Sequence, residues 1–401
     1  MGACGKEIKV WTEKYEDGKT KIEYQYYSRS DTNNWIKEGW YNAYYPSGEY
    51  REVGNYKENV KQGEWRTFAE NGTEAIGEYK DGEKWLGEFY VWEKLDDSRG
   101  WIETDEETGD EENVFKARYS YANGMRNGPA IRWWANGNKR AEVVYEDGKV
   151  EGKAVQYYKS GRIYIKNSYE NNNVEGNVAA YYESGEILWE ATEKGSKRVG
   201  KYIAYYESGK IKGEWFYEDG KIEGKKIHYY ESGDISKEIP YKNGKIEGKS
   251  VWYYKSGNLW IERPYKNDKS EGMALEYYEN GRIRGEATYK NDKKEGKAIG
   301  YFENGNIDSE TAYANDKKEG KNIWYYQSGN IRGEAVYRDD KQEGKEIQFY
   351  KNGNISKEIL YKDGKKEGKT IWYYESGNIW VEWAYMDGQL VDSETKYYKD
   401  R

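Results

Sequence analysis

A glycine recurs every 24 residues through most of this chain: Gly128, Gly152, Gly176, Gly200, Gly224, Gly248, Gly272, Gly296, Gly320, Gly344 and Gly368. A second glycine follows nine residues after each, from Gly137 to Gly377. A fixed period of this length marks stacked supersecondary units that pack on their neighbours, not a globular enzyme domain. The composition agrees. Only 36% of residues are apolar and 34% are charged, too little for a thick core, yet 45 Tyr and 17 Trp exclude an aromatic-poor disordered chain. A thin array resolves the conflict, because a tyrosine ring can be buried while its hydroxyl stays in water.

One copy runs from Gly224 to Lys242, with Ser232-Gly233 inside it and Asn243-Gly244 after it. Both dipeptides supply residues that tolerate positive φ, as tight hairpin turns require. The runs between them, about seven and about nine residues rich in β-branched and aromatic types, predict two antiparallel strands per copy. The expected fold is all-β: an elongated, twisted antiparallel β-ribbon, a solenoid-like array of about fourteen 24-residue β-hairpin repeats. About 28 strands at roughly 4.8 Å spacing make a sheet on the order of 130 Å long, coiled by its accumulated twist.

Period-two alternation assigns faces. Ile227 and Tyr229 share one face, and His228 and Tyr230 point the other way. An Ile ladder (Ile203, Ile227, Val251, Leu275, Ile299, Ile323, Ile347, Ile371) and a structural Tyr ladder (Tyr205, Tyr229, Tyr253, Tyr277, Tyr301, Tyr325, with Tyr373) are read as the packed side. A Glu ladder from Glu190 and Glu214 through Glu238 to Glu382 is expected on the opposite face, its repulsion eased by intervening Lys. The glycines are read as turn glycines.

Five segments follow from the register: an N-terminal tether (1–14), degenerate repeats (15–100), an acidic insertion (101–117), regular repeats (118–391) and a C-terminal half-repeat cap (392–401). The insertion, with seven carboxylates between Glu103 and Glu112, is expected to be a solvated loop. A calcium site there is the alternative, though EF-hand spacing is missing.

The unit Glu-Gly-Lys-x-Ile-Trp-Tyr-Tyr-Glu-Ser-Gly-Asn-Ile (Glu367 to Ile379), preceded by Tyr-Lys-Asp-Gly-Lys (Tyr361 to Lys365), resembles the MORN-repeat variant of bacterial proteins often labelled antitoxin-like. The resemblance covers nearly the whole chain. It implies a hairpin-built elongated sheet with a non-catalytic interaction role, and names no partner. Several copies replace the second turn residue by Asp: Asp268, Asp292, Asp316 and Asp340. Gly-x-x-x-Trp-Tyr-Tyr-x-x-Gly also resembles the aromatic hairpin repeats that bind choline or glucan, but the 15-residue interval between units departs from that pattern.

No catalytic residue, metal ligand set or cofactor is expected. His228 is the sole histidine, and Ala204 and Trp252 occupy its place in neighbouring copies. The slot four residues after the repeat glycine varies freely and yields the binding-face candidates His228, Trp252, Trp324, Gln348 and Trp372. Read as exposed aromatics beside the Glu ladder, the three Trp could anchor a protein or stack on a glycan; the alternative is that they cover Tyr rings.

The net charge of −8 disfavours nucleic acid and anionic membranes as partners, and no apolar run spans a bilayer. Met1-Gly2-Ala3-Cys4 resembles the end of a lipoprotein signal and makes Cys4 a lipidation candidate. The expectation is therefore a non-enzymatic scaffold on a bacterial surface, anchored by lipid and binding protein or glycan in adhesion. The alternatives are a cytoplasmic antitoxin-like protein and a cell-wall glycan-binding module.

Overall fold

The computed structural model describes residues 6–29, 34–96, 100–104, 114–391 and 396–397. Cys4 and the acidic core 105–113 of the insertion lie outside the described residues. Every regular element among those described is a strand, and each ladder is antiparallel. No helix is long and apolar enough to cross a membrane. The chain divides into two compact units, Met1–Val199 with Glu207–Gly209, and Gly200–Tyr206 with Lys210–Arg401.

The second unit shows the repeat most clearly. Strand Lys221–Tyr229 turns through Ser232-Gly233 into Ile235–Lys242, which turns through Asn243-Gly244 into Lys245–Ile246 and Gly248–Tyr253. Asn243 and Gly244 have φ of 52° and 79°. Two successive positive values are the signature of the type I′ hairpin turn, which matches strand twist and favours Asn-Gly.

The repeat glycines do something else. Glu214 pairs with Ile227 and Phe216 with Glu223, so two steps along one strand are matched by four along the other. Gly224, at φ 75°, sits in this excess. It is a bulge glycine inside a ladder, not a turn glycine, and a side chain there would strain the backbone. A second bulge lies across the hairpin, where His228 pairs with Lys237 but Tyr229 with Ile235.

These bulges overturn the expected faces. Directly opposed residues of an antiparallel pair share a face. Ile227 is opposed to Glu214 on one side and Glu238 on the other. The Glu ladder therefore lies on the same face as the Ile and Tyr ladders, not opposite. Ile235 and Tyr241, an even six residues apart, do not share a face, because the bulge at Ser236 flips the alternation between them. Tyr241 opposes Gly224, on the other face.

The more deeply packed side is also not the Ile face. In the second unit Ser250, Ala335, Thr370 and Ile359, all on the opposite face, are at most 2% exposed, whereas most of the Ile ladder is only half-buried. Large rings meet small residues there. Tyr202 stacks on Trp215 at 4.3 Å, and a Cβ on Gly333 would come within 2.6 Å of the Trp324 ring.

In the first unit the equivalent face carries Tyr41, Trp65, Tyr79 and Phe89, with successive ring centroids 5.5, 5.4 and 5.1 Å apart. Gly54 and Gly77 lie beneath Trp65 and Phe89 and leave no room for a Cβ. Within the former insertion, Gly100–Thr104 is a strand paired with Glu83–Asp96.

Candidate binding face

The two faces of the second unit differ in chemistry, and the difference comes from register. On the Ile face, a Lys follows every repeat glycine of the second unit except Gly272, where Met273 stands, and meets the Glu of the following strand: Lys201–Glu214 at 2.7 Å, Lys225–Glu238 at 3.0 Å, Lys249–Glu262 at 2.6 Å, Lys297–Glu310 at 2.9 Å, Lys321–Glu334 at 2.8 Å and Lys345–Glu358 at 2.8 Å. The Tyr ladder completes the set. Tyr229 donates its hydroxyl hydrogen bond to Glu214 at 2.6 Å, and Tyr277 donates to Glu262 at 3.1 Å. Burial first, then the hydrogen bond to Glu214, pushes the Tyr229 phenol up to about 12. Hydrogen bonds from Lys201 and Tyr229 hold the Glu214 carboxyl below its ordinary range. Most of the Glu ladder is thus electrically compensated, and Glu286, beside Met273, is held by the Tyr301 hydroxyl at 3.1 Å.

The opposite face, here called the Trp face, is not compensated. Arg263, Lys294, Lys318 and Lys366 lie over the rings of Tyr289, Tyr313, Tyr337 and Tyr385 at 4.8, 5.1, 5.0 and 4.8 Å. Lys226 and Lys357 lie over Trp215 and Trp372 at 3.8 and 4.7 Å. Among the described residues none of these six cations is in an ion pair. Ring quadrupoles attract them, but less than a full counter-charge would. Burial pushes the Lys226 and Lys357 ammonium groups down from their ordinary value. The carboxylates on this face are already engaged: Glu276 is held by Arg284 at 3.0 Å, and buried Glu346 accepts from Gln342 and Gln348 at 2.5 Å each. A chain of net negative charge thus presents a cationic, aromatic face.

The five binding-face candidates stand in one cross-strand row on this face. His228 opposes Lys237, Lys237 opposes Trp252, Trp324 opposes Gly333, Gly333 opposes Gln348, and Lys357 opposes Trp372. Two corrections apply. The Glu ladder is not beside them, and the three Trp are half-buried rather than exposed. Trp372 packs on Trp383 at 4.4 Å, and His228 lies 5.9 Å from Trp215. Burial, then the neighbouring Lys237, Lys226 and Lys212, lowers the His228 imidazole to about 4, so it is neutral at pH 7. The exposed Trp residues of the second unit are Trp260 and Trp380, which lie by the rings of Tyr254 and Tyr374 at 5.8 and 6.0 Å.

Contacts between successive copies hold the face in place. The second Tyr of each Tyr-Tyr pair donates to a backbone carbonyl 23 residues on; Tyr206, Tyr230 and Tyr254 reach Tyr229, Tyr253 and Tyr277, each at 2.7 Å. Where Glu precedes the bulge glycine, it accepts from a turn amide 20 residues on: Glu223 from Asn243 at 2.6 Å, Glu271 from Asn291 at 2.9 Å. The recurrent Glu-Gly and Tyr-Tyr dipeptides signal these roles in the sequence, and neither role was expected. Asp in place of the second turn glycine is also explained. Asp268, at φ 69°, accepts from the Ile246 amide at 2.7 Å, and Asp292 accepts from the Ser270 amide at 2.7 Å. The hydrogen bond offsets the strain of a non-glycine residue with positive φ.

Eight consecutive segments of the chain match the family model of the MORN repeat variant: residues 198–219, 222–243, 246–267, 270–291, 294–315, 318–339, 342–363 and 366–387. No curated protein matches the chain. The matched segments begin shortly before the Gly200 bulge and end at the Asp387 turn, and the segment 222–243 holds the Gly224 bulge, the hairpin turn and the second bulge at Ser236. Residues 198–387 are thus an array of eight tandem copies of the MORN repeat variant, an architecture suited to a binding scaffold.

Proposed function

We propose that this protein is a non-enzymatic scaffold that binds a protein partner through its Trp face, the partner contributing an acidic surface. The observation that carries this reading is the segregation of charge. Lys294, Lys318 and Lys366 lie over tyrosine rings with no carboxylate in an ion pair among the described residues, whereas Lys249, Lys321 and Lys345 on the other face are each within 3 Å of a glutamate. Cations that already rest on aromatic rings are partly desolvated, so pairing them with an acidic partner costs less than pairing freely hydrated ones. They stand at multiples of the 24-residue repeat, which recurs every two strands, roughly 10 Å, near the spacing of residues three apart in an extended chain.

The reading includes attachment to a bacterial surface through lipid on Cys4, supported by the Met1-Gly2-Ala3-Cys4 sequence. Intact-mass analysis of the protein from its native cells tests this part; an unmodified N-terminal peptide removes it. The binding reading is tested by cross-linking in those cells with two triple variants. Lys294→Gln/Lys318→Gln/Lys366→Gln is expected to lose the cross-linked partner, and Lys249→Gln/Lys321→Gln/Lys345→Gln to keep it. The reverse pattern moves the binding surface to the Ile face and defeats the reading.

A further inference from the structure

In the middle of the second unit the Trp face loses its side chains. Ala274, Ala287 and Ala298 are directly opposed across three consecutive strands, and Gly285 and Gly300 are opposed in the adjacent row. The result is a hollow of about 290 Å³. In other copies this level is filled, by Tyr202 on Trp215 or by Thr370 opposed to Trp383. The difference shows in exposure: Ala335, further along the row, is 1% exposed, whereas Ala287 and Ala298 remain partly open to solvent.

The wall of the hollow carries charge. Arg263 lines it, with its guanidinium 4.8 Å from the Tyr289 ring, and its Nε is buried without a hydrogen-bond acceptor. Of the repeats that share this register, from Val143 and Asn167 to Ile359 and Trp383, the copy beginning at Gly248 is the one with an arginine here. A buried guanidinium N–H without an acceptor is unfavourable, and a carboxylate is the group whose geometry best relieves it. Lys294 adds a second cation, and Ser309 and Thr311 add hydroxyl donors. Two carboxylate residues line it: Glu276 is neutralised by Arg284 at 3.0 Å, and Glu286, opposed to Leu275 and Ile299, belongs to the Ile face, where it accepts from Tyr301 at 3.1 Å.

We propose that this hollow is a recognition notch for a single carboxylate side chain, Asp or Glu, presented by an extended acidic segment of a protein partner. Arg263 and Lys294 bind the carboxylate, and the alanine and glycine floor admits its methylene stem. The notch rests on the reading of the Trp face as the binding surface and fixes its register. Lys318 and Lys366, one and three repeats beyond Lys294, continue the cationic row for neighbouring acidic residues.

The test is calorimetric titration of the full chain with a hexaglutamate peptide at low and high salt, with hexaglutamine as the neutral control. Hexaglutamate is expected to bind, more weakly as salt rises, and hexaglutamine to bind at least about tenfold more weakly, as expected for a lost charge-assisted hydrogen bond. Ala287→Leu, which fills the floor, and Arg263→Gln, which removes the cation, are each expected to weaken binding by about tenfold. Far-UV circular dichroism confirms that each variant folds; Lys345→Gln on the Ile face should bind as the unaltered chain does.

Unchanged affinity in both Ala287→Leu and Arg263→Gln overturns the notch. If Lys318→Gln/Lys366→Gln then weakens binding, the face reading stands without the notch; if that variant is also silent, both fall. Tighter binding of an oligogalacturonate than of hexaglutamate overturns the peptide assignment in favour of an acidic glycan.

Discussion

The hydroxyl of Tyr230 donates a hydrogen bond to the backbone carbonyl of Tyr253, 2.7 Å away and 23 residues later in the chain. The bond joins the end of one strand to the equivalent strand of the next copy, and recurs from Tyr206 to Tyr229 and from Tyr254 to Tyr277. Tyr230→Phe takes this side-chain donor away from a partly buried carbonyl. The expected loss is about 1 kcal/mol. Amide hydrogen exchange of the strand Gly248–Tyr253 checks it, because a local opening is read directly even where a repeat array does not unfold in one step.

Glu271 is the turn clamp of its copy, accepting from the Asn291 amide at 2.9 Å. Glu271→Ala should destabilise by about 1–2 kcal/mol, and Glu271→Gln by less, since its amide oxygen still accepts. Urea denaturation of the three proteins side by side measures the order. Equal stability of the Ala variant and the unaltered chain would remove the clamp from the account.

Asp292 has φ 70° and accepts from the Ser270 amide at 2.7 Å. Two terms therefore compete on substitution. Asp292→Gly relieves strain but loses the bond and should be close to neutral. Asp292→Ala loses the bond and keeps the strain, and should cost about 1–2 kcal/mol. Thermal midpoints of the pair separate the two terms.

His228 supplies a pH dependence with a definite sign. Its folded value of about 4 lies below its ordinary 6.5, so below pH 6.5 the unfolded chain takes up a proton that the folded chain refuses. Stability from this group is complete above pH 6.5 and is lost progressively as pH falls toward 4. Between pH 7 and pH 5 the unaltered chain should lose more thermal stability than His228→Gln. Parallel curves for the two would show that the imidazole is not desolvated.

Trp65 is fully buried in the first unit, above Gly54, while Trp380 in the second is 45% exposed. Trp65→Ala should cost about 3–5 kcal/mol, the usual range for emptying a packed aromatic site. Trp380→Ala should change stability far less. Near-ultraviolet circular dichroism of both variants gives the comparison.

The sequence by itself determined the repeat, because turn chemistry and strand composition are local. Asn243-Gly244 and Ser232-Gly233 mark hairpins whatever surrounds them, and the 24-residue period made a stacked all-β array legible without coordinates. The row from His228 to Trp372 was legible too, since those residues occupy equivalent places in successive copies. Only the tertiary structure decided which side of one strand coincides with which side of the next. The copy built on Gly224 carries a bulge at the glycine and another at Ser236, and a bulge inverts the alternation on which face assignment depends. That inversion puts Ile227 beside Glu238, lets Lys225 neutralise the same carboxylate, and leaves Lys294, Lys318 and Lys366 over rings on the other side. The 20- and 23-residue hydrogen bonds and the hollow beside Arg263 depend on the same registration between neighbouring strands, which side-chain periodicity within one strand does not encode.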